Sequence, residues 1–318
     1  MEMVYNRMGG TGLKLSRLSF GTWVTVGGSL DIDTSRELVL AAYEAGVNFF
    51  DSAEAYSGGE AEVALGKILG ELPREQLVIS SKVFWGGEGP NDVGLSRKHV
   101  TEACNAALRR MNLDYLDLYY CHRHDPDTPV EETVRAMDVL IRQGKVLYWG
   151  TSEWRAEQLE EAFEVAERLN LTPPSVEQPE YNMFRRKPVE KMLAPLIEGR
   201  GLGTTTWSPL ASGVLTGKYN DSIPAGSRLA LDATSWLADL VLSEKKIATV
   251  RALAPIADEL GCTLAQLAIA WCTKEQKVSS VITGATSMKQ LRENLDSLAV
   301  AERMDDEVMK RIDSILVV

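Results

Sequence analysis

At 318 residues, with 45% hydrophobic and 25% charged side chains, the chain has the size and composition of a globular domain. A formal net charge of −11 argues against nucleic acid or an anionic membrane as main partner. No apolar run approaches the roughly 20 residues that span a bilayer, no signal-peptide pattern opens the chain, and the cysteines at 104, 121, 262 and 272 form no metal-type pair, so a reducing, cytoplasmic setting without membrane insertion is expected.

In chain order, residues 3–8 and 13–16 flank Gly9-Gly10-Thr11-Gly12 and read as a hairpin that plugs one end of the fold. Short β-branched or aromatic runs then fit strands at 17–20, 47–50, 77–81, 116–121, 146–149, 175–178, 202–207 and 278–282. Helical patterns lie between them. Thr34 with Glu37 reads as a capping box, and Gly46 ends that helix. Thr128-Pro129-Val130-Glu131 reads as a cap and first turn, with Val134, Met137, Leu140 and Ile141 at helical spacing and Gly144 as the stop. Further helices fit 59–71, 96–111, 155–169, 187–198, 263–274, 287–296 and 305–316. Eight β-α units predict an α/β fold, a (β/α)8 TIM barrel with an N-terminal hairpin, as one domain over 1–318. The 77 residues from Trp207 to Gly284 exceed one unit; their Gly-, Ser-, Asp- and Pro-rich first part, 208 to about 243, reads as a long lid loop after strand 7.

In such a barrel, chemistry is done at the carboxyl ends of the strands. Asp51, Lys82 and His122 close three successive strand candidates, and Tyr56 follows Asp51 in the same loop. A phenol, with an ordinary pKa of about 10, serves as a proton donor when an adjacent ammonium favours its phenolate. The ammonium in turn needs a carboxylate to hold it. Lys82 is therefore expected to lower the Tyr56 pKa, Asp51 to anchor Lys82, and His122 to orient a carbonyl. A lone Asp–Lys pair is more often a structural ion pair and a lone His a satisfied core group, but four such groups at one rim outweigh that reading.

Trp23 and Trp85 read as walls of an apolar substrate pocket shared with Tyr56 and His122, and Trp85-Gly86-Gly87-Glu88-Gly89-Pro90 as its mobile edge. His122 and His124 lack further ligands, so no metal is expected. His99 is placed on a surface helix, and Cys121 reads as a small core hydrophobe. The glycines at 9–12 and 58–59 fit turns rather than a dinucleotide loop.

Several stretches carry a family resemblance: Gly21-Thr22-Trp23-Val24-Thr25, Asn48-Phe49-Phe50-Asp51-Ser52-Ala53-Glu54-Ala55-Tyr56, Gly94-Leu95-Ser96-Arg97-Lys98-His99, Glu177-Gln178-Pro179-Glu180-Tyr181-Asn182, Trp207-Ser208-Pro209-Leu210-Ala211 and Gln266-Leu267-Ala268-Ile269-Ala270-Trp271-Cys272. The chain resembles the aldo-keto reductase superfamily, and within it the potassium-channel β-subunit-like branch. That resemblance implies a catalytic tetrad of Asp51, Tyr56, Lys82 and His122 and reduction of small aldehydes or ketones by hydride from NADPH. It also implies a cofactor set. Thr22, Trp23 and Asp51 would line the rim, Ser152 and Gln178 would bind the carboxamide, and Trp207 would stack on the nicotinamide. Ser208, Pro209, Leu210, Ser212 and Lys218 would run under the pyrophosphate, with Arg228 closing over it. Gly284, Thr286, Gln290, Glu293 and Asn294 would hold the adenosine end with its 2′-phosphate.

The chain departs from many superfamily members at Gly284 and Gln290, where they carry Lys and Arg, and at Glu153, where Asn or Arg is usual. The resemblance further implies a homotetramer and, as the alternative function, a redox-sensing channel subunit that holds NADP(H). His122, where animal channel subunits generally have Asn, favours the enzyme, as does a chain that begins at the hairpin.

Overall fold

The computed structural model of the chain describes residues 3–230 and 235–316. Strands β1 (Tyr5–Arg7) and β2 (Lys14–Ser16) form an antiparallel hairpin. The barrel strands are β3 (Leu18–Gly21), β4 (Phe49–Asp51), β5 (Val78–Val83), β6 (Leu116–Cys121), β7 (Val146–Ser152), β8 (Val176–Gln178), β9 (Gly203–Thr206) and β10 (Ser280–Thr283). They are parallel throughout and closed in sequence order, β10 pairing with both β9 and β3. The expected TIM barrel is the fold.

Around it lie α1 (Ile32–Glu44), α2 (Glu60–Leu69), α3 (Arg97–Met111), α4 (Val130–Arg142), α5 (Ala156–Leu169), α6 (Ala194–Arg200), α7 (Leu237–Val241), α8 (Glu244–Glu259), α9 (Leu264–Lys274), α10 (Met288–Arg303) and α11 (Asp306–Leu316). Two helix starts differ from expectation. The Asp31 carboxylate caps α1 by accepting from Thr34 N at 2.8 Å, so Thr34 lies inside the helix and forms no capping box with Glu37. Thr128 donates its hydroxyl to Asp125 Oδ2 at 2.7 Å and α4 begins at Val130, leaving Thr128 outside the helix. Residues 187–198 split into a wide turn at Pro188–Met192 and the short α6. The region after Trp207 is less open than a lid loop: it carries α7, and Ser243 Oγ caps α8. Among the described residues no single helix is long and apolar enough to cross a membrane.

The period of two along each strand sorts side chains into two cores. Met8 and Leu15 of the hairpin meet Phe49, Val78, Leu118, Tyr120, Val176 and Ile282 inside the barrel. Phe50, Ile79, Tyr119, Cys121 and Trp149 face the helices instead. Each such large apolar side chain contributes roughly 1.5–3 kcal/mol through removal from water. At Gly150 a methyl group would meet the Val176 carbonyl oxygen at 2.1 Å, so only glycine lets β7 and β8 approach here.

Candidate active site

The same alternation builds the site. Phe49 faces inward, and so two residues on does Asp51; Val78 places Lys82 likewise, Leu118 and Tyr120 place His122, and Val176 places Gln178. The lower layer is apolar packing and the layer above it is polar. Tyr56 arrives differently, from a 3-10 turn (Tyr56–Gly59) that follows β4 after the connecting residues 52–55, where Ser57, Gly58 and Gly59 all take positive φ and turn the chain into α2.

These side chains meet. Lys82 Nζ donates to Asp51 Oδ2 at 2.5 Å, to the Ser52 carbonyl at 2.9 Å and to the Tyr56 hydroxyl at 3.0 Å, which occupies all three of its protons. Asp51 Oδ1 accepts from Ser80 Oγ at 2.8 Å and, across the barrel, from Gln178 Nε2 at 3.0 Å. The Lys82 side chain is fully buried and that of Asp51 4% exposed, so either charge alone would be strongly disfavoured. The His122 ring lies edge-on to Tyr56 with centroids 5.8 Å apart, and Trp85 packs edge-on to His122 at 5.0 Å.

Burial disfavours the Lys82 ammonium, but Asp51 and then Tyr56 more than offset this, and its pKa is raised. For Tyr56, burial outweighs the pull of Lys82 and the phenol pKa is raised, not lowered as the sequence suggested. Lys82 opposes that rise without reversing it. Burial, then the charges of Lys82 and Arg123, hold His122 well below the ordinary imidazole range, so it is neutral near pH 7, with Nδ1 buried and without a partner among the described residues. The arrangement can therefore present a protonated phenol and a neutral imidazole to one small polar group, with an ammonium behind the phenol.

Three neighbours were misjudged or missed in the sequence. His99 is buried, not on the surface: Nδ1 lies 2.8 Å from the Gly94 carbonyl and Nε2 3.4 Å from Glu54 Oε1. The Trp85 loop is also more closed than a mobile edge. Gly86 N donates to the Asp92 carbonyl at 2.7 Å, Gly89 N to Asp92 Oδ2 at 3.0 Å, and Trp85 bridges to Val93. Arg123, unnoticed although it adjoins His122, places Nη1 3.4 Å from Ser152 Oγ. Glu153 takes positive φ and turns its carboxylate away, accepting from Glu180 N at 2.6 Å and from Arg185 at 2.7 Å.

The remaining expected positions form a continuous rim. Thr22 is buried and donates its hydroxyl to the Asp51 carbonyl at 3.1 Å, and Trp23 packs half-buried against the core. Ser152 Oγ donates to the Gln178 carbonyl at 2.9 Å, and Trp207 ends β9 in a bridge to Glu180. Next come Ser208, Pro209 and Leu210, with Ser208, Ala211, Ser212 and Gly213 all at positive φ. Within this turn the amides of Ala211, Ser212 and Gly213 donate to the Ser208 carbonyl at 3.0 Å, the Ser208 hydroxyl at 3.2 Å and the Leu210 carbonyl at 2.9 Å. The exposed Lys218 folds back so that a Cβ on Gly213 would lie 2.9 Å from its Cε. Arg228 opens a 3-10 turn, but its side chain lies outside those described. Beyond β10, Thr286 donates through both N and Oγ1 to Gln290 Oε1, Asn294 Nδ2 donates to the Gly284 carbonyl at 3.1 Å, and Glu293 sits one turn along α10. These positions carry hydroxyls, amides and a lysine, and among the described residues no three His, Cys, Asp or Glu side chains come together as a metal-type set.

A parallel (β/α)8 barrel with an ionisable cluster at its carboxyl rim is the architecture of a barrel enzyme. The chain belongs to the aldo/keto reductase family, whose sequence model matches residues 17–317. That membership implies oxidoreductase chemistry with a nicotinamide cofactor. Two relatives, each named "Probable voltage-gated potassium channel subunit beta", come from Arabidopsis thaliana and Oryza sativa subsp. japonica. Each is 52% identical over 317 residues, covering 99% of this chain and 97% of the relative.

Proposed function

We propose that the chain is an NADPH-dependent reductase of small aldehydes and ketones in which Tyr56 donates the proton. The observation that carries this reading is the Lys82 ammonium held between Asp51 at 2.5 Å and the Tyr56 hydroxyl at 3.0 Å, beside the His122 ring. When bound, the nicotinamide supplies hydride to the carbonyl carbon. Neutral His122 donates a hydrogen bond to the carbonyl oxygen and holds it near the phenol. As negative charge develops on that oxygen, the Tyr56 proton moves to it and Lys82 stabilises the phenolate left behind. Asp51 fixes Lys82 and keeps it charged, and solvent returns the proton to Tyr56 between turnovers. Ser152 and Gln178 would orient the carboxamide, and Trp207 would stack on the ring. The 208–218 segment would take the pyrophosphate, and Gly284, Thr286, Gln290, Glu293 and Asn294 would take the adenosine end. Trp23 and Trp85 wall the substrate.

The names of the two relatives favour a second reading, a channel-associated subunit; tetrameric assembly and redox sensing through bound NADP(H) enter that reading from the family resemblance alone. Fluorescence titration with NADPH and NADH, followed by an aldehyde panel, separates the two. Consumption of NADPH supports the reductase, whereas tight binding without consumption supports the subunit. Failure to bind either nucleotide removes both.

A further inference from the structure

Arg123 directly follows His122 at the end of β6 and takes no part in the relay. Its Nη1 donates to the His122 carbonyl at 2.5 Å and lies 3.4 Å from Ser152 Oγ. Its guanidinium carbon sits 5.3 Å from the centroid of the Trp85 ring, which itself packs on His122. Elsewhere in the chain the half-buried arginines 74, 110 and 186 each hold a carboxylate, Asp117, Glu62 and Glu190 respectively, and half-buried Arg17 spends both Nη groups on the Val278 and Glu275 carbonyls. Among the described residues Arg123 holds none, and its Nε and Nη2 have no acceptor.

A guanidinium offers five N–H donors in a planar fork that matches a carboxylate. Lys82 has no proton to spare, and His122 carries no charge near neutral pH. Among the described residues beside the tetrad, then, Arg123 is a cation with donors available. The chain's formal charge of −11 disfavours the approach of any anion, so anion selectivity must come from a local cation. Trp85 shields one side of the guanidinium and also flanks the imidazole that faces Tyr56, which puts fork and phenol along one wall.

We infer that Arg123 is a specificity-determining residue that seats a carboxylate of the substrate, so that the preferred substrates are aldehydes or ketones bearing a carboxylate a few bonds from the reacting carbon. This rests on the reductase reading for its substrate class, though not for the existence of the anion seat.

The test compares succinic semialdehyde with its methyl ester, and 4-carboxybenzaldehyde with methyl 4-formylbenzoate, in the full-length protein with NADPH. A hydrogen-bonded charge pair corresponds to about ten- to hundredfold in affinity, so the acid should exceed its ester in kcat/KM by about tenfold or more, chiefly through KM. In Arg123→Gln the acid-to-ester ratio should fall to about one. Arg123→Lys should lie between, because an ammonium keeps the charge but loses the fork. The ratio within each protein cancels any general damage from the substitution. Succinate titrated into the NADP+ complex, followed by tryptophan emission, reads the seat without turnover and should weaken about tenfold in Arg123→Gln. If no aldehyde is reduced yet succinate binds in an Arg123-dependent way, the reductase reading fails and the seat stands. A ratio and a succinate affinity both unmoved by Arg123→Gln overturn the inference. So does a loss of NADPH affinity with an unmoved ratio, which would assign Arg123 to the cofactor.

Discussion

Glu177 gives the sharpest test of how burial controls this rim. Its side chain points outward from β8, opposite to Gln178, and is fully buried. It accepts from the Thr151 hydroxyl and, through Oε1, from Trp154 N at 3.2 Å, so it clamps the turn that carries Ser152 and Glu153. Among the described residues no cation pairs with it. Burial, aided by the Glu153 charge and opposed by those hydrogen bonds, pushes its pKa from 4.5 up to about 8. Unfolded, it ionises near 4.5, so between pH 4.5 and about 8 the folded chain binds the extra proton. Stability therefore falls as pH rises across that window, by about 1.4 kcal/mol per unit at the steepest. Over about 3.5 units that amounts to roughly 4–5 kcal/mol, an upper figure because the site relaxes on ionisation. Glu177→Gln keeps an acceptor for Trp154 N and removes the titration. Urea-unfolding midpoints followed by tryptophan emission at pH 5, 6, 7 and 8 should fall steadily in the parent and much less in the variant. Parallel curves would mean that Glu177 does not hold a proton in the fold, and the account of its burial would be wrong.

Two further substitutions probe the relay. Tyr56→Phe removes the proton donor and should lower kcat by about 10²–10⁴-fold while the NADPH titration still shows binding; turnover within tenfold of the parent would exclude Tyr56 as the acid. Lys82→Met leaves the buried Asp51 carboxylate with only Ser80 and Gln178, and should cost about 3–5 kcal/mol in urea unfolding. Adding Asp51→Asn should recover part of that loss, and a double variant no more stable than the single one would contradict the ion-pair account.

Much of the site was legible because one rule, alternation along a strand, carries both core and chemistry. Once Phe49, Val78, Leu118 and Val176 are inside, Asp51, Lys82, His122 and Gln178 follow at the rim. Helix caps were less legible because Asp31 and Thr34 both satisfy the local pattern, and the path of the incoming loop decides between them. In α8 the buried Val250, Leu253, Ile256 and Ala257 keep helical spacing, but Pro255 interrupts the reading. His99, on α3, looked like a surface residue because its partner, Glu54, lies 45 residues away on the loop after β4. Proton affinities were the least legible, since they depend on burial that no spacing reveals.

The raised Tyr56 pKa bears directly on mechanism. At neutral pH the phenol already holds the proton it must give, so Lys82 is not needed to make the donor form. Its charge matters later, when the phenolate appears, and an interaction that strengthens between ground and transition state is the kind that raises kcat. The pH dependence then has a definite shape. The Tyr56 pKa is shifted upward from 10.0 and that of His122 well downward from 6.5, so the working forms, neutral phenol and neutral imidazole, coexist across the interval between those values. In Glu177→Gln, chosen so that ionisation near pH 8 does not intrude, kcat for aldehyde reduction should be flat from pH 6.5 to 9 and fall only above 10. A fall centred between pH 7 and 8.5 in that variant would show the ammonium overcoming burial at the phenol, and would move the role of Lys82 from the transition state back to the resting enzyme.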